Sequence, residues 1–298
     1  MKNHKYLFVF CMLLAIAMAG GIFTRIYVSL EEKQEKNEKL HVVTSFYPVY
    51  IAALNVAGES PNVELENLSE PQTGCMHDYQ LTPQDLILLS GADLFLVNGG
   101  GIENFLTEVS ESYPELAVCQ ASEGVELLED NAHVWMDTTL YAQMVKNIAE
   151  AFCTADPAGA EVYQANAEHY CRQIQNLTDQ LENLKAAAAG TSVVIFHEAY
   201  AYLAKELGME TAYCLDLDEE RQVSAGEIAD MMGEISKNHV SLVFAEELYG
   251  KDMGDTVEAE TKARVCYLNT LVRGDYEAGS YLTAVQQNID LLEQALEK

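Results

Sequence analysis

The chain has 298 residues and is strongly acidic, because 47 aspartates and glutamates against 17 lysines and arginines give a formal net charge of −30. A surface of this sign repels a polyanion and offers no basic stripe that could release counterions, so nucleic acid is not expected as a partner. The same charge attracts cations, although most acidic side chains form only a solvated surface. The composition is compatible with a cation-binding function but does not establish one.

The N-terminal segment has the features of an export signal. Two lysines precede an apolar run over residues 6–23, and Ala17 and Ala19 before Gly20 provide the small-residue pattern that a signal peptidase needs. The run is also close to the ~18 residues that indicate a membrane span, so residues 1–30 are either a signal peptide or an uncleaved membrane anchor. Residues 31–40 are charged and poor in apolar side chains, which predicts a flexible linker. Both alternatives place the remainder of the chain outside the cytoplasm, at the cell surface or in the periplasm.

Short β-branched runs alternate with helical patterns from residue 41 onward. The strand candidates of the first half are residues 41–46, 63–68, 93–97 and 116–120, with amphipathic segments between them. This alternation is typical of βαβ units with a parallel sheet. We therefore expect an N-terminal α/β lobe over residues 41–155.

A long helix is predicted next, over residues 156–189. Asp156 and Pro157 supply a cap and a first-turn proline, and a polar amphipathic run continues to Gly190. A helix of ~30 residues is ~45 Å long, enough to connect two lobes. Strand candidates then restart at residues 192–197, 210–215, 240–246 and 264–269. The predicted fold class is α/β, with two lobes that are each a mostly parallel sheet flanked by helices, joined by one long rigid helix; the C-terminal lobe covers residues 190–298.

Three histidines and one asparagine lie near the sheet edge where ligands of such folds bind. His77 follows the second predicted strand, His197 ends the strand over residues 192–197, and Asn269 ends the last strand. Ligands bind beyond the carboxyl ends of the strands in open parallel sheets, and His133, in a segment before a helix, can face the same cleft. A lone histidine is usually explained by a capping or core hydrogen bond, but the shared location favours a divalent metal site. The other histidines past residue 40 lack this location and are interpreted as structural: His41, His169 and His239.

The donor types indicate zinc. Imidazole nitrogen is a borderline ligand that suits zinc, and three imidazoles with a fourth oxygen ligand form a tetrahedral site. Cys75 lies two residues from His77 and could be a soft extra ligand, although a buried thiol is the usual interpretation of the six cysteines past residue 40. Glu198 could be the general base of a zinc hydrolase, but next to a helix start it is better explained as a charge favoured by the helix dipole. Three function classes remain open here: a metal receptor, a zinc-dependent hydrolase and an adhesin.

Five ordered segments carry more specific information. They are VVTSFYPVY, GCMHDYQLTPQDLILLSGADLFLVNGGGIENFL, NAHVWMD, VVIFHEAYAYLAKELGM and LVFAEELYGKDMGDTVEAETKARVCYLNTL. Together they resemble the zinc and manganese solute-binding receptors of bacterial ABC importers. The resemblance implies a two-lobed, monomeric receptor with a rigid connecting helix that delivers a divalent metal to an ABC permease and catalyses no reaction. It also implies that His77, His133 and His197 occupy the positions of the family's first three metal ligands.

The chain departs from the family pattern at the fourth ligand. Asn269 stands where many members carry an acidic ligand, so we expect the Asn269 amide oxygen or a water as the fourth donor, with Asp275 and Glu220 as the alternatives. Histidine at the third position, where manganese receptors of the family often use glutamate, favours zinc. Without an anionic ligand, manganese, which prefers hard oxygen donors, should bind less well than Zn²⁺. A manganese receptor of the same family is the alternative.

Overall fold

Two four-stranded parallel sheets organise the chain from Leu40 onward. The computed structural model describes Arg25, residues 39–217 and residues 223–297. The predicted signal or anchor over residues 1–30 and the linker over residues 31–40 therefore lie almost wholly outside the described residues, as does Glu220. Within the part that is described, no helix has both the length and the apolar content needed to cross a membrane.

The first lobe contains the sheet with strand order β2-β1-β3-β4. Its elements in chain order are β1 (Leu40–Thr44), α1 (Tyr47–Ala57), β2 (Val63–Asn67), α2 (Pro83–Ser90), β3 (Leu94–Val97), α3 (Leu106–Ser112) and β4 (Ala117–Gln120). The chain first moves from β1 to one side and then returns to its other side at β3. The topological switch point of this lobe is therefore between β1 and β3, where ligands of such sheets bind.

The second lobe repeats this strand order as β6-β5-β7-β8. Its elements are β5 (Ser192–Ile195), α6 (Tyr200–Glu206), β6 (Glu210–Cys214), α7 (Ala225–Lys237), β7 (Leu242–Ala245), α8 (Glu247–Glu260), β8 (Arg264–Tyr267) and α9 (Ser280–Leu296). The switch point is here between β5 and β7, so the loop after β5 faces the ligand crevice. The predicted two-lobed α/β class is confirmed.

Two helices connect the lobes: α4 (Thr138–Ala155), which follows a short 3₁₀ turn (Val134–Met136), and α5 (Ala160–Ala188). The 29 residues of α5 give a length of about 44 Å. This helix packs against α1 and α4 and also against α9. It therefore contacts both the first lobe and the last helix of the chain.

The start of the connecting helix differs from the sequence prediction. Asp156 ends α4, since its backbone N–H donates to the Phe152 carbonyl, and its carboxylate accepts hydrogen bonds from the Ala158 N–H and the Tyr163 hydroxyl. The Asp156–Pro157 pair therefore shapes the turn between the helices, and α5 begins at Ala160.

One apolar core is continuous across both lobes. It includes Val42 and Phe95 of the first sheet together with Val193 and Phe244 of the second. Successive side chains of a strand point to opposite faces, so Val194 belongs to a smaller cluster on the other face of the second sheet. Because both lobes contribute to the main core, their relative position is set by apolar packing as well as by the connecting helix.

Candidate metal centre

Three loops bring the predicted histidines together. His77 lies between β2 and α2, His133 directly precedes the 3₁₀ turn, and His197 lies between β5 and α6. The Nε2 atoms of His77 and His133 are 3.3 Å apart. The rings of His133 and His197 meet edge to face with centroids 5.0 Å apart. The side chain of His77 is 39% exposed and that of His133 is fully buried, so the cluster extends from the surface into the protein.

His133 is oriented by Asn131. The amide oxygen of Asn131 lies 2.9 Å from the backbone nitrogen of His133 and 2.7 Å from its ring Nδ1. Because this oxygen only accepts hydrogen bonds, Nδ1 is the donor and the neutral ring keeps its lone pair on Nε2. That lone pair is on the side of His77. The amide nitrogen of Asn131 donates to the Glu198 carbonyl at 2.9 Å, so the second lobe helps to position a histidine of the first.

Sequence reasoning did not identify Asn131. The available signal was its location two residues before His133, since an Asn side chain often accepts a hydrogen bond from the backbone two residues further on. The structure adds the contact with the ring and a bond from the Tyr202 hydroxyl to the Asn131 carbonyl at 2.6 Å. These contacts arise from packing between the lobes, which the local pattern does not contain.

The His133 ring is neutral at neutral pH. Burial lowers its pKa well below the ordinary value, and the neighbouring His197 and His77 rings lower it further. Desolvation disfavours the charged form of a histidine, and metal ions bind only the neutral imidazole. The environment of His133 therefore maintains the protonation state that a metal requires.

The His197 ring has a different local partner. The backbone N–H of Ala199 donates to its Nδ1 at 3.1 Å, so the neutral ring carries its proton on Nε2. A metal bound through Nε2 requires the proton on Nδ1 instead. Coordination through Nε2 therefore requires both the loss of the hydrogen bond from Ala199 and a change of tautomer.

Two further donors lie in the same cluster. The Sγ atom of Cys75 is 3.5 Å from Nε2 of His133. One Glu198 carboxylate oxygen is 3.5 Å from Nε2 of His77 and 3.4 Å from Nδ1 of His133. Potential ligand atoms lie within 4.8 Å of one another both in the set Cys75, His133 and His197 and in the set His77, His133 and Glu198. Glu198 is thus more than a charge beside a helix start, because its carboxylate contacts two of the histidines.

The candidates for the fourth ligand have other surroundings. The side-chain oxygen of Asn269 accepts a hydrogen bond from the Leu271 N–H at 2.6 Å. Its backbone is held by Asn288, which accepts from the Asn269 N–H and donates to the Asn269 carbonyl. Asp275 is exposed. The role of Asn269 as fourth ligand stays a prediction. In that role its side-chain oxygen would bind the metal and either keep or lose the hydrogen bond from the Leu271 N–H.

An ion pair ties the loop before the cluster to the second lobe. Arg273 donates to the Glu246 carboxylate at 2.6 Å and to the Gln72 carbonyl at 3.2 Å. Its guanidinium also lies 5.3 Å from the centre of the Tyr249 ring. Gln72 belongs to the same loop as Cys75 and His77. Arg273 therefore restrains the loop that carries these two donors.

Comparison with known proteins gives a consistent picture. Residues 42–295 match the family model ZnuA, described as zinc-uptake complex component A, periplasmic. The high-affinity zinc uptake system protein ZnuA of Bacillus subtilis is 27% identical over 322 aligned positions that cover 99% of this chain and 98% of that protein. The manganese-binding lipoprotein MntA of Halalkalibacterium halodurans is 26% identical, with coverage of 86% and 88%. The solved structure of the SBP FpvC of Pseudomonas aeruginosa with Mn²⁺ has a TM-score of 0.79 and 25% identity, and covers 87% of this chain and 99% of its own.

Proposed function

The chain belongs to the ZnuA family of periplasmic zinc-uptake components, and on this premise we propose that it is an extracytoplasmic receptor that binds Zn²⁺ and delivers it to an ABC permease. The family consists of solute-binding receptors rather than enzymes. Binding involves no covalent chemistry, since imidazole lone pairs replace water around the ion. The acidic surface, with a net charge of −30, raises the local concentration of cations.

The histidine cluster carries the proposal. We assign His77, His133 and His197 as metal ligands, because two of their nitrogens lie 3.3 Å apart and the third ring contacts the buried member. Zinc ligand nitrogens at about 2.05 Å from the ion and at tetrahedral angles are about 3.4 Å apart. The spacing of the His77 and His133 nitrogens therefore suits a shared zinc ion.

Nitrogen donors favour zinc over manganese, which prefers carboxylate and water oxygens. The Glu198 carboxylate is the observation that favours the alternative, a manganese receptor, because it adds a hard anionic oxygen 3.5 Å from the His77 nitrogen. We propose zinc because the nearest donor to His77 Nε2 among its described contacts is a nitrogen. The His133 nitrogen lies at 3.3 Å and the Glu198 oxygen at 3.5 Å.

The remaining assignments follow the sequence prediction. We propose that residues 1–30 are a signal peptide or membrane anchor and that residues 31–40 form the tether. Residues 41–155 and 190–298 would then be the two lobes, joined through residues 156–189. The receptor is proposed to act as a monomer attached to the outer face of the cytoplasmic membrane.

A competition titration tests the function. The protein, purified without added metal, should bind about one Zn²⁺ per chain and prefer zinc to manganese. His77→Ala, His133→Ala and His197→Ala should each weaken binding severely, whereas His169→Ala, an exposed substitution on α5, should not. Trp135 reports the same event, because its ring centre is 5.0 Å from that of His133. Equal zinc affinity of all four variants would rule out the assignment, and turnover of ester or amide substrates by the zinc form would indicate a hydrolase.

A further inference from the structure

Cys75 lies beside the buried histidine of the candidate site although it is not one of the predicted histidine ligands. Its Sγ atom is 3.5 Å from Nε2 of His133, the same nitrogen that lies 3.3 Å from His77. The His133 side chain is fully buried, and its Nδ1 is engaged by Asn131. The only ring nitrogen of His133 left for a metal therefore lies beside both the thiol and the His77 imidazole.

We propose that Cys75 is the fourth metal ligand of this chain, as a thiolate. The proposal rests on the proposed function, since it concerns the same ion. On binding, the thiol proton passes to water and a sulfur–metal bond forms. Cys75 thereby supplies the negative charge that the chain lacks where Asn269 replaces an acidic residue.

The distances agree with this assignment. A zinc–nitrogen bond of about 2.05 Å and a zinc–sulfur bond of about 2.3 Å at a tetrahedral angle separate the two ligand atoms by about 3.6 Å. The observed Cys75–His133 separation is 3.5 Å. Cys75 Sγ also lies within 4.8 Å of a potential ligand atom of His197. The set that includes His77 contains Glu198 rather than Cys75 or His197, so an ion that contacts the thiol and all three histidines requires the His77 side chain to move towards the other donors.

The competing oxygen donors have different contacts with the cluster. The side-chain oxygen of Asn269 accepts a hydrogen bond from the Leu271 N–H, which uses one of its two lone pairs. The Glu198 carboxylate lies 3.5 Å from Nε2 of His77 and contacts His133 at Nδ1. Nδ1 carries the proton that the ring donates to Asn131, so the carboxylate lies beside the protonated nitrogen of His133, whereas the thiol lies beside the nitrogen that is left for a metal.

The donor set determines which cations are accepted. Thiolate is a soft ligand that stabilises zinc and other thiophilic ions, whereas manganese gains little from sulfur. With three imidazoles and one thiolate, the receptor should reject manganese more strongly than a site with three imidazoles and a carboxylate. Cys75 is thus proposed to set the metal preference of the chain.

Cobalt absorption is the direct test. Co²⁺ replaces zinc in such sites, and a cobalt–thiolate bond gives a charge-transfer band in the near ultraviolet that nitrogen and oxygen ligands do not give. The reduced wild-type protein should show this band, Cys75→Ser should lose it, and Cys171→Ser should keep it. Cys171 is a matched control because its thiol is also half-buried and lies on α5, where it contacts the Ala142 carbonyl.

Zinc affinity provides the second measurement. Loss of an outer-shell partner weakens metal binding by about 10–100-fold, so Cys75→Ser should weaken zinc by more than about 100-fold. Cys75→Asp should restore part of the zinc affinity and raise manganese affinity relative to zinc. Manganese binding to Cys75→Ser should be nearly unchanged.

The outcomes separate the two proposals. If the wild-type protein binds no zinc, or the histidine variants bind as it does, the proposed function fails. If wild type binds zinc and the histidine variants do not, but Cys75→Ser keeps full affinity and wild type gives no cobalt–thiolate band, only the role of Cys75 is overturned. A loss of zinc in Asn269→Ala with Cys75→Ser unaffected would assign the fourth ligand to Asn269 instead.

Discussion

Replacement of Asn131 by alanine should weaken zinc binding through His133 without removing a ligand. The side chain makes three hydrogen bonds: its oxygen accepts from the backbone N–H and the Nδ1–H of His133, and its nitrogen donates to the Glu198 carbonyl. In Asn131→Ala the ring can rotate and can place its proton on Nε2, where the metal should bind. Outer-shell partners of metal-ligating histidines are typically worth 10–100-fold in affinity, which is about 1.4–2.8 kcal/mol.

The same substitution should lower the stability of the metal-free protein. Two donors of a fully buried histidine lose their acceptor, and an unsatisfied buried group costs about 1–3 kcal/mol. We expect a loss of roughly 2–4 kcal/mol in the free energy of unfolding, since water can satisfy part of the exposed groups. Urea denaturation in the presence of a chelator measures this quantity, and competition titration at a fixed pH measures the affinity.

Two variants make the test specific. Asn131→Asp keeps an oxygen beside Nδ1 and should retain most of the zinc affinity. Asn147→Ala removes a side chain of the same lobe that donates to two carbonyls, those of Ala121 and Glu123, and should lower stability without a change in zinc affinity. Wild-type affinity in Asn131→Ala, with the stability loss present, would refute the positioning of His133 by this residue.

The remaining predictions concern pH. Because burial lowers the pKa of His133, only the unfolded chain binds a proton at this histidine just below pH 6.5. The metal-free protein should therefore lose up to about 1.4 kcal/mol of stability per pH unit as the pH falls through this range. In urea denaturation, His133→Gln should reduce this dependence of stability on pH. Since His133 is already neutral, zinc binding near pH 7 should release no proton from it, which calorimetry in buffers of different ionisation enthalpy can check. Burial and the nearby Asp137 raise the pKa of Glu206 from 4.5 to about 7. Between these two values the folded state binds more protons than the unfolded state, so stability is lost as the pH rises. Glu206→Gln should accordingly be more stable than wild type at pH 8 by about 1–3 kcal/mol and not at pH 5; equal thermal midpoints at pH 8 would contradict the role of its charge.

The sequence predicted the fold because local patterns and global architecture agree. Alternating β-branched runs and amphipathic segments indicate parallel βαβ units, and the two sheets follow this pattern with the same strand order. The boundary at Asp156 and Pro157 was misplaced, because the same residues that can begin a helix can also end the preceding one. Asp156 does the latter through its bonds to the Ala158 N–H and the Tyr163 hydroxyl.

The locations of His77 and His197 after strands and of His133 before a helix predict a shared site, and the structure places the rings of both His77 and His197 beside the His133 ring. The location of a residue along a strand does not specify the direction of its side chain in the following loop. For this reason the sequence favours a buried thiol at Cys75, although the structure places its sulfur 3.5 Å from His133. For the same reason the sequence favours a helix-start charge at Glu198, although its carboxylate contacts two histidines.

The contacts that escaped the sequence are those made between the lobes. Asn131 is fixed by the Glu198 carbonyl and the Tyr202 hydroxyl, and the indole N–H of Trp135 donates to the Thr270 carbonyl at 3.0 Å. All of these bonds join segments that are more than 60 residues apart in the chain. Each bond closes a long loop, and the loss of chain entropy on closure is offset by burial of the apolar core that both lobes share. The tautomer and orientation of the His133 ring are therefore consequences of the completed fold. For this reason a local motif can predict that His133 is a ligand but cannot predict its tautomer or its ring orientation.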